Sequence, residues 1–198
     1  MTAGHIDEPV WQECDIIVEG TVKCGSQYHF HMENQTAYVV PLDDDKFKIY
    51  AANQMPANLQ SQIAQVLDCS SNCLEVEVKR CGGGYGGKLE NSIIVAAATA
   101  LAARKFNAPV RVVMTLTDNM KALGKRHPSL ANYKLGIKKN GQLVALKADV
   151  FVDGGATSYA TDGEAATLLQ NFDNAYYCPN YYVSATLCKT NTPSNTWA

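Results

Sequence analysis

The glycine-rich stretch in the middle of this sequence reads Arg80-Cys81-Gly82-Gly83-Gly84-Tyr85-Gly86-Gly87-Lys88, and five of its nine residues are glycine. A run rich in valine and glutamate precedes it, and an alanine-rich run follows it, which predicts a strand, a loop and a helix. Glycines let backbone N–H groups approach a ligand with no Cβ in the way. The N-terminus of the following helix adds unpaired donors and a partial positive charge. The stretch therefore predicts a site for a phosphate or another oxyanion.

Two nucleotide-binding patterns match this loop in part. Gly82-x-Gly84-x-x-Gly87 has the spacing of the dinucleotide pattern G-x-G-x-x-G, but the acidic residue expected about 20 residues further on is missing. Gly82-x-x-x-x-Gly87-Lys88 has the spacing of a P-loop, but Leu89 stands where a Ser or Thr would hold Mg²⁺. Both nucleotide interpretations are therefore weaker than a general anion site.

Length and composition narrow the class of protein. The 198 residues suffice for one large domain or two small ones with a real core. The net charge of −2 gives no basic patch for nucleic acid. The longest apolar run, residues 93–103, is too short to span a bilayer, and the N-terminus does not have the pattern of a secretory signal. Seven cysteines without a paired framework favour reduced thiols and a cytoplasmic location.

Local patterns predict the α+β class, with antiparallel and mixed sheets and packed helices. Asn140-Gly141, between two alternating segments, predicts a two-residue hairpin. Residues 88–106 are apolar nearly all round, which predicts a buried helix, and apolar spacing over residues 56–67 predicts another helix. Further strands are predicted at residues 15–24, 27–33, 36–41 and 47–51, and we expect these four to form an antiparallel meander.

Two small groups of side chains are candidate metal ligands. Period-two spacing places His29, His31 and Glu33 on one face of the strand predicted there. Cys69 and Cys73 form a close pair, but no second pair completes four ligands. A structural role is the preferred interpretation of both groups.

Several motifs, in order along the chain, resemble the molybdenum-cofactor domain of the xanthine dehydrogenase/aldehyde oxidase family. The family phrase is a glycine triplet, an aromatic residue and Gly-Gly-Lys, which the central loop reproduces. The resemblance extends over nearly the whole chain. Its other segments are Gly25-x-Gln27-x-His29-Phe30-x-Met32-Glu33, Asn53-Gln54, Arg126-His127-Pro128 with Tyr133, and Cys188-Lys189-Thr190-Asn191-x-Pro193-Ser194-Asn195-Thr196.

The resemblance implies that residues 1–198 are part of a molybdopterin-binding region with two subdomains. The first, about residues 15–90, would hold the first strands, a helix and the glycine loop. The second, about residues 91–198, would hold the buried helix, the hairpin and the following elements. Family members also contain a 2Fe–2S region and an FAD domain, so this chain is expected to be an internal fragment, in keeping with its abrupt C-terminus.

The resemblance also implies a cofactor, molybdenum bound to molybdopterin, and the residues that contact it. Gly83, Gly84, Tyr85 and Gly86 would face the cofactor, and Tyr85, where the family usually has phenylalanine, would lie near the metal. Gln54 would be the glutamine close to molybdenum and is the one catalytic candidate. Its neutral amide could donate a hydrogen bond to an oxygen of the cofactor without adding charge.

Leu89 is the residue from which we infer a substrate class. Xanthine-oxidising members of the family carry a purine-contacting glutamate at this position, and Glu90 comes one residue too late to replace it. The resemblance therefore implies an enzyme of the aldehyde oxidase type that oxidises aldehydes or N-heterocycles. The alternatives are a xanthine-oxidising member of the family and a non-catalytic domain that binds an anion or a protein.

The remaining expectations concern the parent protein. It is expected to be a cytoplasmic homodimer whose partners are small molecules, with no nucleic acid or membrane involved. The general base of the family lies beyond this chain, so the isolated chain is expected to be inactive.

Overall fold

The structure, a computed structural model, describes residues 1–157 and 161–196. Trp197 and Ala198, which contributed to the expectation of an abrupt C-terminus, lie outside the described residues. A short 3₁₀ turn covers Ser71–Cys73. The helices and strands, in chain order, are β1 (Thr2–Ala3), α1 (Glu8–Gln12), β2 (Ile16–Cys24), β3 (Thr36–Leu42), β4 (Lys46–Ala51), α2 (Pro56–Val66), β5 (Leu74–Glu77), α3 (Asn91–Phe106), β6 (Val110–Val113), α4 (Leu116–Ala122), β7 (Ser129–Ile137), β8 (Leu143–Gly155), α5 (Thr161–Gln170) and β9 (Asn180–Lys189).

The elements confirm the α+β class and fall into two compact units. Unit 1 comprises Met1–Gln27 and His127–Asn195, and unit 2 comprises Tyr28–Arg126 and Thr196–Ala198. The boundary expected near residue 90 does not coincide with these units. The reason is a long-range pairing, because β2 near the N-terminus lies antiparallel to β7 and joins the first residues to the second half of the chain.

Unit 1 is built on a five-stranded sheet in the order β1-β9-β8-β7-β2. β7 and β8 form a hairpin at Asn140-Gly141, as predicted, but its loop has three residues instead of two. The Lys138 N–H donates to the Gln142 carbonyl, and Gly141, with a left-handed φ of 87°, donates to the Lys138 carbonyl. β8 and β9 are parallel, so the sheet is mixed. The buried core of this unit includes Ala148, Val150, Val152 and Val183.

Unit 2 is built on a four-stranded sheet in the order β5-β4-β3-β6, in which β4 and β5 are parallel. Its core joins sheet residues such as Val39 and Ile49 to Leu59 and Ile63 of α2. A stripe of small residues on α3 completes this core, and it consists of Ala96, Ala100 and Ala103. The prediction that α3 is buried on all sides is wrong, since Ile94, Leu101 and Phe106 are exposed on its other face.

Two sequence predictions about residues 15–51 are also wrong. β2 belongs to the sheet of unit 1, whereas β3 and β4 belong to the sheet of unit 2, so the four segments do not form one meander. Residues 28–33 form no strand, and Phe30 has a φ of 49°, which interrupts any extended ladder.

All seven cysteines are free thiols. Among the described residues, none of the helices combines the length and apolar character needed to cross a membrane.

Candidate functional site

The glycine loop connects β5 to α3 within unit 2. The predicted strand, loop and helix are all present, but the helix begins at Asn91 instead of Lys88. The intervening backbone forms a turn in which the N–H of Gly87 donates to the carbonyl of Gly84 at 2.7 Å. Gly83, Tyr85 and Gly86 have left-handed φ values of 91°, 48° and 83°. For Tyr85 this is a strained backbone conformation, of the kind that concentrates at functional sites.

Four consecutive N–H groups in this loop, those of Gly83, Gly84, Tyr85 and Gly86, donate to no group in the described part of the chain. The flanking N–H groups are all occupied: those of Gly82, Gly87, Lys88 and Leu89 donate to Glu33 Oε2, the Gly84 carbonyl, Gln54 Oε1 and the Gly86 carbonyl. Successive free amides in a turn form a concave site that binds anions. The free amides belong to the four residues that the sequence predicts as cofactor contacts.

Gln54 lies directly against the loop, although it is far from it in sequence. The backbone N–H of Gln54 donates to the Lys88 carbonyl at 2.9 Å, and the side-chain Oε1 of Gln54 accepts the Lys88 N–H at 3.1 Å. Because a backbone N–H can only donate, the amide oxygen must face Lys88. The amide nitrogen of Gln54 is therefore left to donate to a ligand beside the loop.

The loop needs glycine because other side chains occupy the space around it. A Cβ on Gly84 would lie 2.4 Å from Gln54 Oε1, and one on Gly82 would lie 2.6 Å from the Glu33 Cβ. A Cβ on Gly87 would lie 2.8 Å from the His29 ring. Residues 29–33 thus pack along the loop, which is a structural role of the kind preferred from the sequence.

A buried ion pair holds the loop to this segment. The Lys88 side chain is 0% exposed, and its Nζ lies 2.7 Å from Glu33 Oε2. The same carboxylate oxygen accepts the Gly82 N–H at 2.8 Å, so Glu33 binds both ends of the glycine stretch. Sequence reasoning missed this pair, although Lys88 and Glu33 both belong to the motifs quoted for the resemblance.

The Glu33–Lys88 pair predicts a pH-dependent stability. Burial opposes ionisation of Glu33, but the hydrogen bonds from Lys88 and Gly82 and the charge of Lys88 outweigh it, so the pKa of Glu33 is lowered. The stabilisation is therefore complete above the unfolded pKa of about 4.3 and is lost as pH falls through the lower folded value. We expect Glu33→Gln to lower the free energy of unfolding at about pH 7 and to differ less from wild type at about pH 3, as measured by urea denaturation.

Glu19→Gln is the matched control, since Glu19 pairs with Lys134 on the surface with 64% of its side chain exposed. This variant should be nearly neutral at both pH values. A Glu33→Gln effect that stays constant down to about pH 3 would contradict the assignment.

Three further buried side chains hold the carbonyls of the loop. Gln35 Nε2 donates to the Gly87 carbonyl at 2.7 Å, and Asn53 Nδ2 donates to the Lys88 carbonyl at 3.1 Å and to Ser92 Oγ at 2.7 Å. Thr196 Oγ1 donates to the Gly86 carbonyl at 3.4 Å. Sequence reasoning assigned no role to Gln35, because a single buried amide carries no periodic or motif signal.

Tyr85 belongs to the row of free amides, and Leu89 follows the end of that row by three residues. The Tyr85 side chain is 62% exposed, so its hydroxyl does not require a buried partner. Leu89 is half-buried, and burial raises the pKa of the adjacent Glu90.

The other candidate groups have structural partners. Nδ1 of the buried His127 lies 2.9 Å from the Asp153 carbonyl, and the Asp153 carboxylate accepts the Gly155 N–H and the Thr190 hydroxyl. Within residues 1–157 and 161–196, no group of three or more His, Cys, Asp or Glu side chains is placed to hold a metal ion.

The whole chain, residues 1–198, matches the family model of the molybdopterin cofactor-binding domain. The chain therefore belongs to this family, as its motifs indicated, and the cofactor of the family is molybdenum bound to molybdopterin.

Curated relatives and solved structures agree with this membership. The chain is 37% identical over 190 residues to xanthine dehydrogenase of Emericella nidulans and 38% identical over 194 residues to aldehyde oxidase 3 of Mus musculus. These alignments cover 96% and 98% of this chain but 14% of each relative. The aldehyde oxidoreductase of Desulfovibrio gigas superposes with a TM-score of 0.85 at 26% identity, over 99% of this chain and 21% of that one.

Proposed function

We propose that this chain forms part of the cofactor-binding wall of a molybdenum hydroxylase that oxidises aldehydes or N-heterocycles. The observation that carries the proposal is the row of four free N–H groups at Gly83–Gly86, beside an amide whose oxygen is already bound. Relatives named aldehyde oxidase and xanthine dehydrogenase, both about equally similar to this chain, support the reaction class.

The residues present fit the cofactor. Its anionic oxygens would accept hydrogen bonds from the free amides, and the Gln54 nitrogen would add one neutral donor. When bound, the cofactor supplies the two-electron oxidation of the substrate carbon, with oxygen derived from water. The role of this chain is to bind and orient the cofactor. The ion pair of Lys88 and Glu33 keeps the N–H donors of the loop fixed, so they need no reorganisation when a ligand binds.

Metal analysis of the purified full-length protein tests the proposal. The expected result is molybdenum bound in a ratio near one per chain and lost in parallel with activity when the cofactor is removed. A folded full-length protein free of molybdenum after expression with molybdate would contradict it and would favour a non-catalytic domain.

Leu89 is proposed to form an apolar wall of the substrate pocket, which favours aldehydes over purines. In the full-length enzyme, Leu89→Glu would supply a carboxylate that can bind a purine. An apolar substrate would displace water from this carboxylate without replacing its hydrogen bonds, so it would bind less well. We expect the ratio of kcat/KM for xanthine to that for an aromatic aldehyde to rise at least about tenfold. Steady-state kinetics on the two substrates measures this ratio.

Leu42→Glu is the control for this substitution, because Leu42 lies exposed at the end of β3, outside the glycine loop. It should leave the ratio of the two specificity constants unchanged. An equal ratio in wild type and Leu89→Glu would remove Leu89 from the specificity argument, and a wild type that already prefers xanthine would indicate a xanthine-oxidising member.

The parent protein is proposed to be a cytoplasmic homodimer with 2Fe–2S and FAD groups that carry electrons away from the substrate. Optical spectra of the purified full-length protein, together with its mass in solution, test this composition.

A further inference from the structure

A small cavity lies under the glycine loop within unit 2. Its volume is about 10 Å³, which is about what the centre of a single water molecule requires. It is lined by the segment before β3, the loop itself, the first turn of α3 and the side of α4. The lining includes His31, Gln35, Gly87, Asn91, Asn119 and Leu123.

Three polar atoms on this lining have no partner among the described residues. They are Nδ1 of His31, Oε1 of Gln35 and Nδ2 of Asn91. All three side chains are buried, with 3%, 0% and 4% of their surface exposed. Leaving one such atom unpaired is unfavourable, and three around a single cavity indicate a shared ligand.

The hydrogen-bonding roles of these atoms define the ligand. Gln35 Nε2 donates to the Gly87 carbonyl, so the atom of Gln35 left without a partner, Oε1, is an acceptor. Asn91 presents a donor, and a neutral His31 can accept at Nδ1. A water molecule donates two hydrogen bonds and accepts one or two, which matches two acceptors and one donor. A cation fits poorly, because Asn91 Nδ2 is a donor. Burial first, and then the nearby Lys88 charge, also lower the pKa of His31 and so oppose a further positive charge beside it.

We propose that one internal water molecule occupies this cavity and positions the glycine loop from below. It would donate to Gln35 Oε1 and His31 Nδ1 and accept from Asn91 Nδ2. His31 packs against Gly83, whose Cβ position lies 3.0 Å from the His31 Cβ, and Gln35 holds Gly87. The water therefore braces the loop on both sides of Tyr85 and ties it to the start of α3.

The proposal fixes the tautomer of His31, because a ring nitrogen that accepts from water carries no proton. His31 is then a neutral imidazole protonated at Nε2, and it acts as a positioning residue. This inference does not depend on the identity of the ligand above the loop.

Two measurements on the wild-type 198-residue chain test the proposal directly. A high-resolution crystal structure should contain one density peak within about 2.7–3.2 Å of the three atoms. Imidazole nitrogen chemical shifts should identify Nδ1 of His31 as unprotonated. An empty cavity, a peak with the short contacts of a metal ion, or a proton on Nδ1 would overturn the proposal.

A variant tests the positioning role. Asn91→Leu removes the donor and fills the cavity, so the density peak should vanish and hydrogen exchange of the hydrogen-bonded amides of Gly87, Lys88 and Leu89 should accelerate about tenfold. Asn72→Leu, the same change at an exposed position, should leave both unchanged. Unaltered exchange in a folded Asn91→Leu protein would refute the positioning role. If that variant does not fold, the two wild-type measurements still decide whether the water is present.

Discussion

Lys88→Met is expected to lower the free energy of unfolding by about 2–3 kcal/mol, the largest effect we expect for a side chain in the loop. Methionine fills most of the same volume but leaves the Glu33 carboxylate without its cation. Removing one partner of a fully buried pair typically costs more, but the Glu33 side chain is 35% exposed and water can solvate part of its charge. Urea denaturation of the 198-residue chain at neutral pH measures the loss.

Two comparisons separate the ion pair from other effects of removing a lysine. Lys48→Met removes a lysine that pairs with Glu75 and Glu77 at the surface, and its effect should be much smaller than that of Lys88→Met. The double variant Lys88→Met/Glu33→Gln removes both charges and should be more stable than Lys88→Met alone. Equal losses for the single and double variants would mean that packing, not charge, accounts for the role of Lys88.

Local signals in the sequence predicted most of the elements because each has a cause within a few residues. Asn140-Gly141 indicated the position of the β7–β8 hairpin, although the turn closes over three loop residues instead of two. Asn107 ends α3 in a left-handed conformation with φ 46°, three residues after the basic last turn begins at Arg104. The glycine loop was recognisable for the same reason, since its composition reflects a local need for close backbone approach.

Strand pairing was predicted less well because it depends on contacts between residues distant in sequence. Nothing in β2 itself indicates that it pairs with β7 instead of β3. The alternation of His29, His31 and Glu33 is real, but it reflects packing against Gly87, Gly83 and Gly82 and not a strand. A period-two pattern records which residues face a neighbour, and a strand is only one cause of it.

The candidate site depends both on local sequence signals and on contacts between residues distant in sequence. The glycine composition indicated an anion-binding loop, whereas the candidate role of Gln54 came only from the family resemblance. The structure places Gln54 beside Gly84, and its role at the cofactor stays a prediction. The supports beneath the loop, Gln35 and Asn91 among them, had no sequence signal. Each lies among other polar residues, and nothing in the sequence marks it as buried. The residues that hold a site in place are therefore harder to find from sequence than those that face the ligand.

Gly84→Ala is expected to reduce the molybdenum content of the purified full-length protein about tenfold or more, because it changes the donors that we propose to face the cofactor. The new methyl group would lie 2.4 Å from Oε1 and 2.5 Å from Cδ of Gln54, so that side chain must move. Moving it breaks the hydrogen bond from Lys88 N–H that orients the amide. The methyl group also enters the row of free N–H groups. Stability should fall by only about 1–3 kcal/mol, since the displaced group is a flexible side chain.

Gly25→Ala is the matched control, because a Cβ at Gly25 has no atom within 4 Å. That variant should retain both its molybdenum and its stability. Metal analysis and urea denaturation on the same preparations separate a cofactor effect from a folding effect. If Gly84→Ala binds molybdenum as well as Gly25→Ala does, the row of amides at residues 83–86 is not the cofactor contact. If it loses metal only in proportion to unfolded protein, the loop acts on stability alone, and Gln54 no longer has a role beside the cofactor.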